Sequence, residues 1–190
     1  MREAGAGVPD GIPIEVWFQD EMRVGQKGTV RRVWAARGSR PRVPRALGFK
    51  WTYLFGAVCP ERGAAAGLVL PAANAEVMAL HLEEISAQVA PGAHAVVVLD
   101  GAGYHQAQAL AGRVPSNLSL LPLPPYSPEL NPMELVWQDL RRRDLANRVF
   151  AGLAEVVDAC CQAWNGLVAD GQRLVSLTDF AWARLNPTTS

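Results

Sequence analysis

The sequence predicts a mixed α/β sheet covered by helices, and three observations carry that prediction. Residues 14–21, IEVWFQDE, alternate as a strand does, with Ile14, Val16, Phe18 and Asp20 on one face and Glu15, Trp17, Gln19 and Glu21 on the other. Residues 93–100, AHAVVVLD, form a continuous apolar run of the kind found in a central strand covered on both sides. Helical spacing of Met78, Leu82, Ile85 and Val89 marks an amphipathic helix over 74–90, with Asn74 as its cap. Strands first, then alternating helices and strands, is the order of one α/β layer structure.

The remaining elements follow along the chain. A short strand is expected around 31–38, and the prolines of 39–48 argue for a loop. Residues 49–58 and 64–71 flank CPERG as a hairpin. A short helix is expected over 106–114, an extended segment over 118–124, and closing helices from Pro132 through 145 and over 150–168. In the first of these, Asn131 is placed to cap, Pro132 suits the first turn, and Glu134 falls where the acid of a capping box belongs. The organisation expected is a flexible lead over 1–13, one folded domain over 14–176 and a tail over 177–190.

Composition narrows the classes. With 190 residues, 49% hydrophobic and 19% charged, the chain reads as one globular domain, large enough for a substantial core. Formal net charge is zero, yet nine of the 18 Lys and Arg fall between Arg23 and Lys50, a span of 28 residues without an acid. Such a segment is either a solvated loop or a track for a phosphate backbone. Cys59, Cys160 and Cys161 form no CxxC, which fits a reducing compartment. The N-terminus lacks an apolar signal region, and the longest charge-free apolar stretch is too short for a bilayer, so a cytoplasmic location is expected.

Three carboxylates stand at element ends: Asp20 and Asp100 where apolar strands stop, Glu134 in the first turn of a helix. Each has an ordinary reading, as strand end, turn former or helix cap. In open α/β sheets, however, functional groups gather beyond the carboxyl ends of strands. If the two strands are neighbours, their acids repel, and a hard divalent cation relieves that repulsion. Paired ions of this kind serve phosphoryl transfer.

The segments WFQDE, VVVLDGAGYH and LPPYSPELNPMELVW, in that order, resemble the catalytic domain of bacterial insertion-sequence transposases, of the superfamily that includes the mariner elements. VWAARGSRP is similar to the family's tryptophan-then-arginine segment, and 33 residues separate Asp100 from Glu134. The resemblance implies a ribonuclease-H-like fold, a mixed five-stranded sheet flanked by helices. It implies that Asp20, Asp100 and Glu134 are catalytic and bind two Mg2+ or Mn2+ ions. The implied activity is cleavage of phosphodiesters at transposon ends and joining of the 3′ hydroxyl to target DNA. Alternatives are a ribonuclease-H-type nuclease without strand transfer and a non-catalytic DNA-binding remnant.

Candidate contacts to double-stranded DNA are Arg31, Arg32, Trp34, Arg37, Arg40, Arg42, His105 and Arg141. Trp34 is equally a candidate for the core, and His105 for a helix cap. Two departures from the family pattern stand out. Gly101 replaces its usual Asn, and only 19 residues precede Asp20, where family members carry helix-turn-helix modules. A separate helix-turn-helix chain or a missing N-terminal segment is therefore expected as partner, with a homodimer in the active complex and no membrane.

Overall fold

The computed structural model describes residues 11–27, 34–39, 48–106 and 108–183. Its five strands are β1 (Ile14–Gly25), β2 (Trp51–Cys59), β3 (Ala64–Leu70), β4 (His94–Leu99) and β5 (Leu118–Pro122), in the order β3-β2-β1-β4-β5. The hairpin pairs β1–β2 and β2–β3 are antiparallel, whereas β1–β4 and β4–β5 are parallel, so the sheet is mixed. Helices α1 (Ala75–Gln88), α2 (Met133–Arg143), α3 (Leu153–Ala169) and α4 (Gly171–Thr178) cover it. None of the helices among the described residues is long and apolar enough to cross a membrane.

Period-two alternation in β1 sets up two cores. Val16, Phe18, Met22 and Val24 pack with α2, α3 and α4, while Trp17 packs with Phe55 and α1 on the other face. The stripe Met78, Leu82, Ile85 and Val89 is buried as its spacing predicts, and Asn74 accepts a hydrogen bond from the Val77 amide. On α2, Met133, Val136, Trp137 and Leu140 are all buried. Two paired glycines let the indoles of this core approach the sheet closely. A Cβ at Gly67 would sit 2.3 Å from Trp164 Nε1, and one at Gly56 2.6 Å from Trp137 Cη2. Arg173 of α4 anchors α2 by reaching Asp139 at 2.6 Å and Asp144 at 2.6 Å.

Four local expectations change. Residues 34–39 contain a turn and no strand; Arg31 to Val33 lie outside the described residues. Of the helix expected over 106–114, the described residues 106 and 108–114 show turns, following a 3-10 turn at Gly103–His105. Leu110 is the sole buried side chain of this stretch among the described residues, and Gly112 takes a left-handed φ of +70°, so no apolar face holds a helix together. At the start of α2, the Asn131 amide donates to Pro128 O at 3.0 Å, so the Glu134 carboxylate closes no capping box. Beyond residue 168 the chain adds α4, capped by Asp170 through the Arg173 amide, and the buried Thr178 and Ala183 extend the core past residue 176. The three cysteines are free. Burial pushes Cys59 up to about 11 and Cys160 up to about 12, as befits thiols packed like small apolar residues.

Candidate active site

Strand register brings the two aspartates together. The parallel ladder of β1 and β4 ends at Phe18↔Val98, two residues short of Asp20 and of Asp100. Both acids therefore stand at the same level just past the last pair, on strands spaced about 4.8 Å apart. They share the face of Val16 and Phe18, the face that α2 covers. Glu134 meets them from the first turn of α2. Together Asp20, Asp100 and Glu134 line a cleft of about 360 Å³, walled by Gly101, Ala102, Asn131 and the segment 123–128.

Asn131 couples the helix to the strand. Its side chain donates to Gln19 O at 2.9 Å and accepts from the Met133 amide at 3.1 Å. The start of α2 is thus tied to the residue preceding Asp20. Ahead of it, Leu123 N donates to Leu99 O at 2.8 Å, and Pro128–Leu130 form a 3-10 turn. The proline-rich stretch is a rigid strut between β5 and α2. At its tip Tyr126 is fully exposed with φ of 58°, an uncommon conformation for a tyrosine.

Electrostatics distinguish the three acids. Burial, together with the neighbouring charge of Glu21, pushes Asp20 up to about 7, and Glu134 adds to the rise. Trp137 opposes it by donating Nε1–H to Asp20 Oδ2 at 2.9 Å. Gly56, paired with Asp20 across β2, is what leaves room for that indole. Asp100 is held below the usual carboxylate range, first by the His105 ring at 2.7 Å and further by the Ala102 amide at 2.9 Å. The Glu134 carboxylate makes no hydrogen bond or ion pair among the described residues, while its backbone amide donates to Asn131 O at 3.1 Å.

No three His, Cys, Asp or Glu side chains among the described residues converge closely enough to form a closed metal centre. The donors nevertheless fit a hard cation. Three carboxylates face one cleft, and the cost of ionising Asp20 beside Glu21 and Glu134 is the cost that a divalent ion removes.

The other candidates separate. His105 is buried, its side chain 1% exposed, so it braces Asp100 from behind and cannot meet a phosphate directly. Trp34 is fully exposed and Arg37 is exposed, which excludes Trp34 from the core. Arg31, Arg32, Arg40 and Arg42 lie outside the described residues. Arg141 shares the Glu134 side of α2 but opens on a different hollow, beside Arg23 and Lys27. His81 is fully buried and pushed down to about 3 by burial, hence neutral, and His94 bonds Ser119 at 2.8 Å; both are structural. Sequence reading missed the hydrogen bond of Trp137, whose partner Asp20 lies 117 residues away, and the contacts of Glu21.

An α/β sheet with two strand-end aspartates facing a helix-borne glutamate defines a nuclease-type acidic cleft on a ribonuclease-H-like fold. The chain belongs to the DDE superfamily endonucleases, whose family pattern it matches over residues 15–156. It is 50% identical over 133 residues to the uncharacterized protein y4pE/y4sA of Sinorhizobium fredii, covering 70% of this chain and 97% of that protein. Among solved structures, the Mos1 strand transfer complex superposes with a TM-score of 0.58 at 18% identity, over 87% of this chain and 55% of that one. The Mos1 mariner paired-end complex with Mn gives 0.57 at 16% identity, over 87% of this chain and 56% of that one. These likenesses show the fold. The chain spans a little over half the length of the Mos1 structures.

Proposed function

We propose that this chain is the catalytic domain of a transposase that cleaves phosphodiesters at transposon ends and joins the 3′ hydroxyl to target DNA. The observation that carries the reading is the level of Asp20 and Asp100 on adjacent parallel strands, with Glu134 across the same cleft. These three residues would hold Mg2+ or Mn2+, two ions being expected. Such ions, when bound, activate the attacking oxygen and stabilise the leaving one.

The protein's own part is positional. Trp137 fixes Asp20, His105 fixes Asp100, and Asn131 sets the helix that carries Glu134. Exposed Tyr126 at the rim offers a ring on which a base can stack. Arg23, Lys27 and Arg141 give a basic continuation for the phosphate backbone. Selection of transposon ends is assigned to a helix-turn-helix module outside this chain, and the active complex to a homodimer. The Mos1 strand transfer complex and the Mos1 paired-end complexes with Mn and with Mg share this fold and support this reading.

The test supplies a DNA end with a free 3′ hydroxyl, a target duplex and Mn2+, and resolves the products on a denaturing gel. Joined strands are the expected product. Nicks without joined strands would instead assign a nuclease that stops at hydrolysis.

A further inference from the structure

Behind the cleft, on the α1 side of the sheet, a second set of polar groups meets. Glu21 points away from Asp20 because the two residues are neighbours on a strand. Its side chain is 13% exposed, and a carboxylate so placed needs partners. It finds them in the hydroxyl of Tyr104, which donates to Oε1, and in the Gln19 amide at 3.4 Å. The His105 ring lies between two acids, with Nε2 3.6 Å from Glu21 Oε2 and Nδ1 2.7 Å from Asp100 Oδ1. Tyr104 packs edge-on against that ring at 4.5 Å. The 3-10 turn at Gly103–His105 is what folds the ring back under Asp100, through His105 N–H donating to Ala102 O at 2.9 Å.

We propose that Glu21 and Tyr104 are positioning residues that act through His105 to hold the Asp100 carboxylate at the cleft. Asp100 needs such a brace because its side chain is 53% exposed and follows the last paired residue of β4. Without the brace, the Ala102 amide alone among the described residues fixes it. The geometry also assigns the imidazole proton. Asp100 Oδ1 accepts, so Nδ1 donates, and Nε2 faces the Glu21 carboxylate. His105, one step removed from the ligand, is a partner of the kind worth roughly 10–100-fold in metal affinity, and Glu21 and Tyr104 hold it in place. The proposal rests on the reading of Asp100 as a metal ligand for its functional meaning, but not for its geometry.

Two readouts test it. In metal-free protein, ring 15N shifts are expected to show His105 protonated at Nδ1. An unprotonated Nδ1 overturns the proposal whatever the metal does. The second readout is Mn2+ affinity by electron paramagnetic resonance. His105→Leu, which keeps bulk and loses the donor, is expected to weaken binding about tenfold or more. His105→Asn, whose amide nitrogen can occupy the Nδ1 position, is expected to stay within about threefold of the wild type. Equal losses in the two variants at unchanged melting temperature would mean that the ring only packs, and would overturn the proposal. If His105→Leu does not fold, Glu21→Gln and Tyr104→Phe carry the same test, and wild-type affinity in both would refute it. Absence of Mn2+ binding by the wild type would fail the metal reading alone, because the 15N result stands separately.

Discussion

Asp20→Asn is expected to abolish DNA cleavage and, in metal-free protein, to raise stability at neutral pH. Burial and the nearby charge of Glu21 place the Asp20 carboxyl at about 7, above its ordinary 3.8. The folded state then binds a proton between those values that the unfolded state has released. Its stabilising contribution is therefore complete below about pH 4 and is lost as pH rises through 7. Asparagine has no such loss. The difference between variant and wild type should open from pH 4 to 7 and reach on the order of 3 kcal/mol at pH 8, allowing for water in the cleft. Paired urea melts in chelator across that pH range measure it. Cleavage should fall by a factor on the order of 10³ or more, since a metal ligand contributes several kcal/mol to the transition state. A substitution that stabilises the fold while removing its chemistry marks strain kept for function. Unchanged pH dependence in Asp20→Asn would show that Asp20 ionises as an ordinary surface acid.

Trp137→Ala is expected to be the most damaging single change in the core facing α2. The indole is 1% exposed, lies over Gly56 and stands 5.9 Å from the ring of Trp164. Truncating such a side chain costs about 3–5 kcal/mol, transfer and cavity together. Trp137→Phe separates packing from chemistry. It keeps most of the apolar contact and loses the N–H donated to Asp20, so about 1–2 kcal/mol of stability should go. Asp20 should then titrate higher still, because the side chain of Trp137 no longer donates to its carboxylate. Denaturant melts at fixed pH give the first effect, and carboxyl 13C shifts across pH give the second. Equal stability of the Phe variant and the wild type, with Asp20 unmoved, would mean that the hydrogen bond contributes nothing.

Much of this arrangement was legible in the sequence, for physical reasons. Strand alternation at Val16 and Phe18 and the apolar run before Asp100 report burial directly, and burial fixes both strands. Asp20 and Asp100 could be read as strand-end acids because each is the first polar residue after such a pattern, on its own face. Their adjacency was a condition that only the parallel register of β1 with β4 supplies. The helix of Glu134 was legible from Pro132, which suits a first turn. The purpose of Asn131 was not, since its amide partner, Gln19 O, lies 112 residues away. Residues 106–114 misled because helix formers there lack a face to bury, and a local pattern does not report that lack. Glu21 was already placed by strand alternation on the face opposite Asp20. That the chain after Asp100 returns to meet it is a tertiary fact carried by Tyr104 and His105.

Manganese titration followed by electron paramagnetic resonance, on the wild type and on Asp20→Asn, Asp100→Asn and Glu134→Gln, tests most directly whether the three carboxylates form one metal-binding cleft. It needs neither DNA nor a DNA-binding module. The wild type is expected to bind, and each aspartate substitution to weaken binding by about tenfold or more. Glu134→Gln is expected to weaken it as well, and less so if its ion is completed by substrate phosphate. Wild-type affinity in all three variants, or no binding at millimolar manganese, would contradict the assignment of this cleft as the catalytic centre.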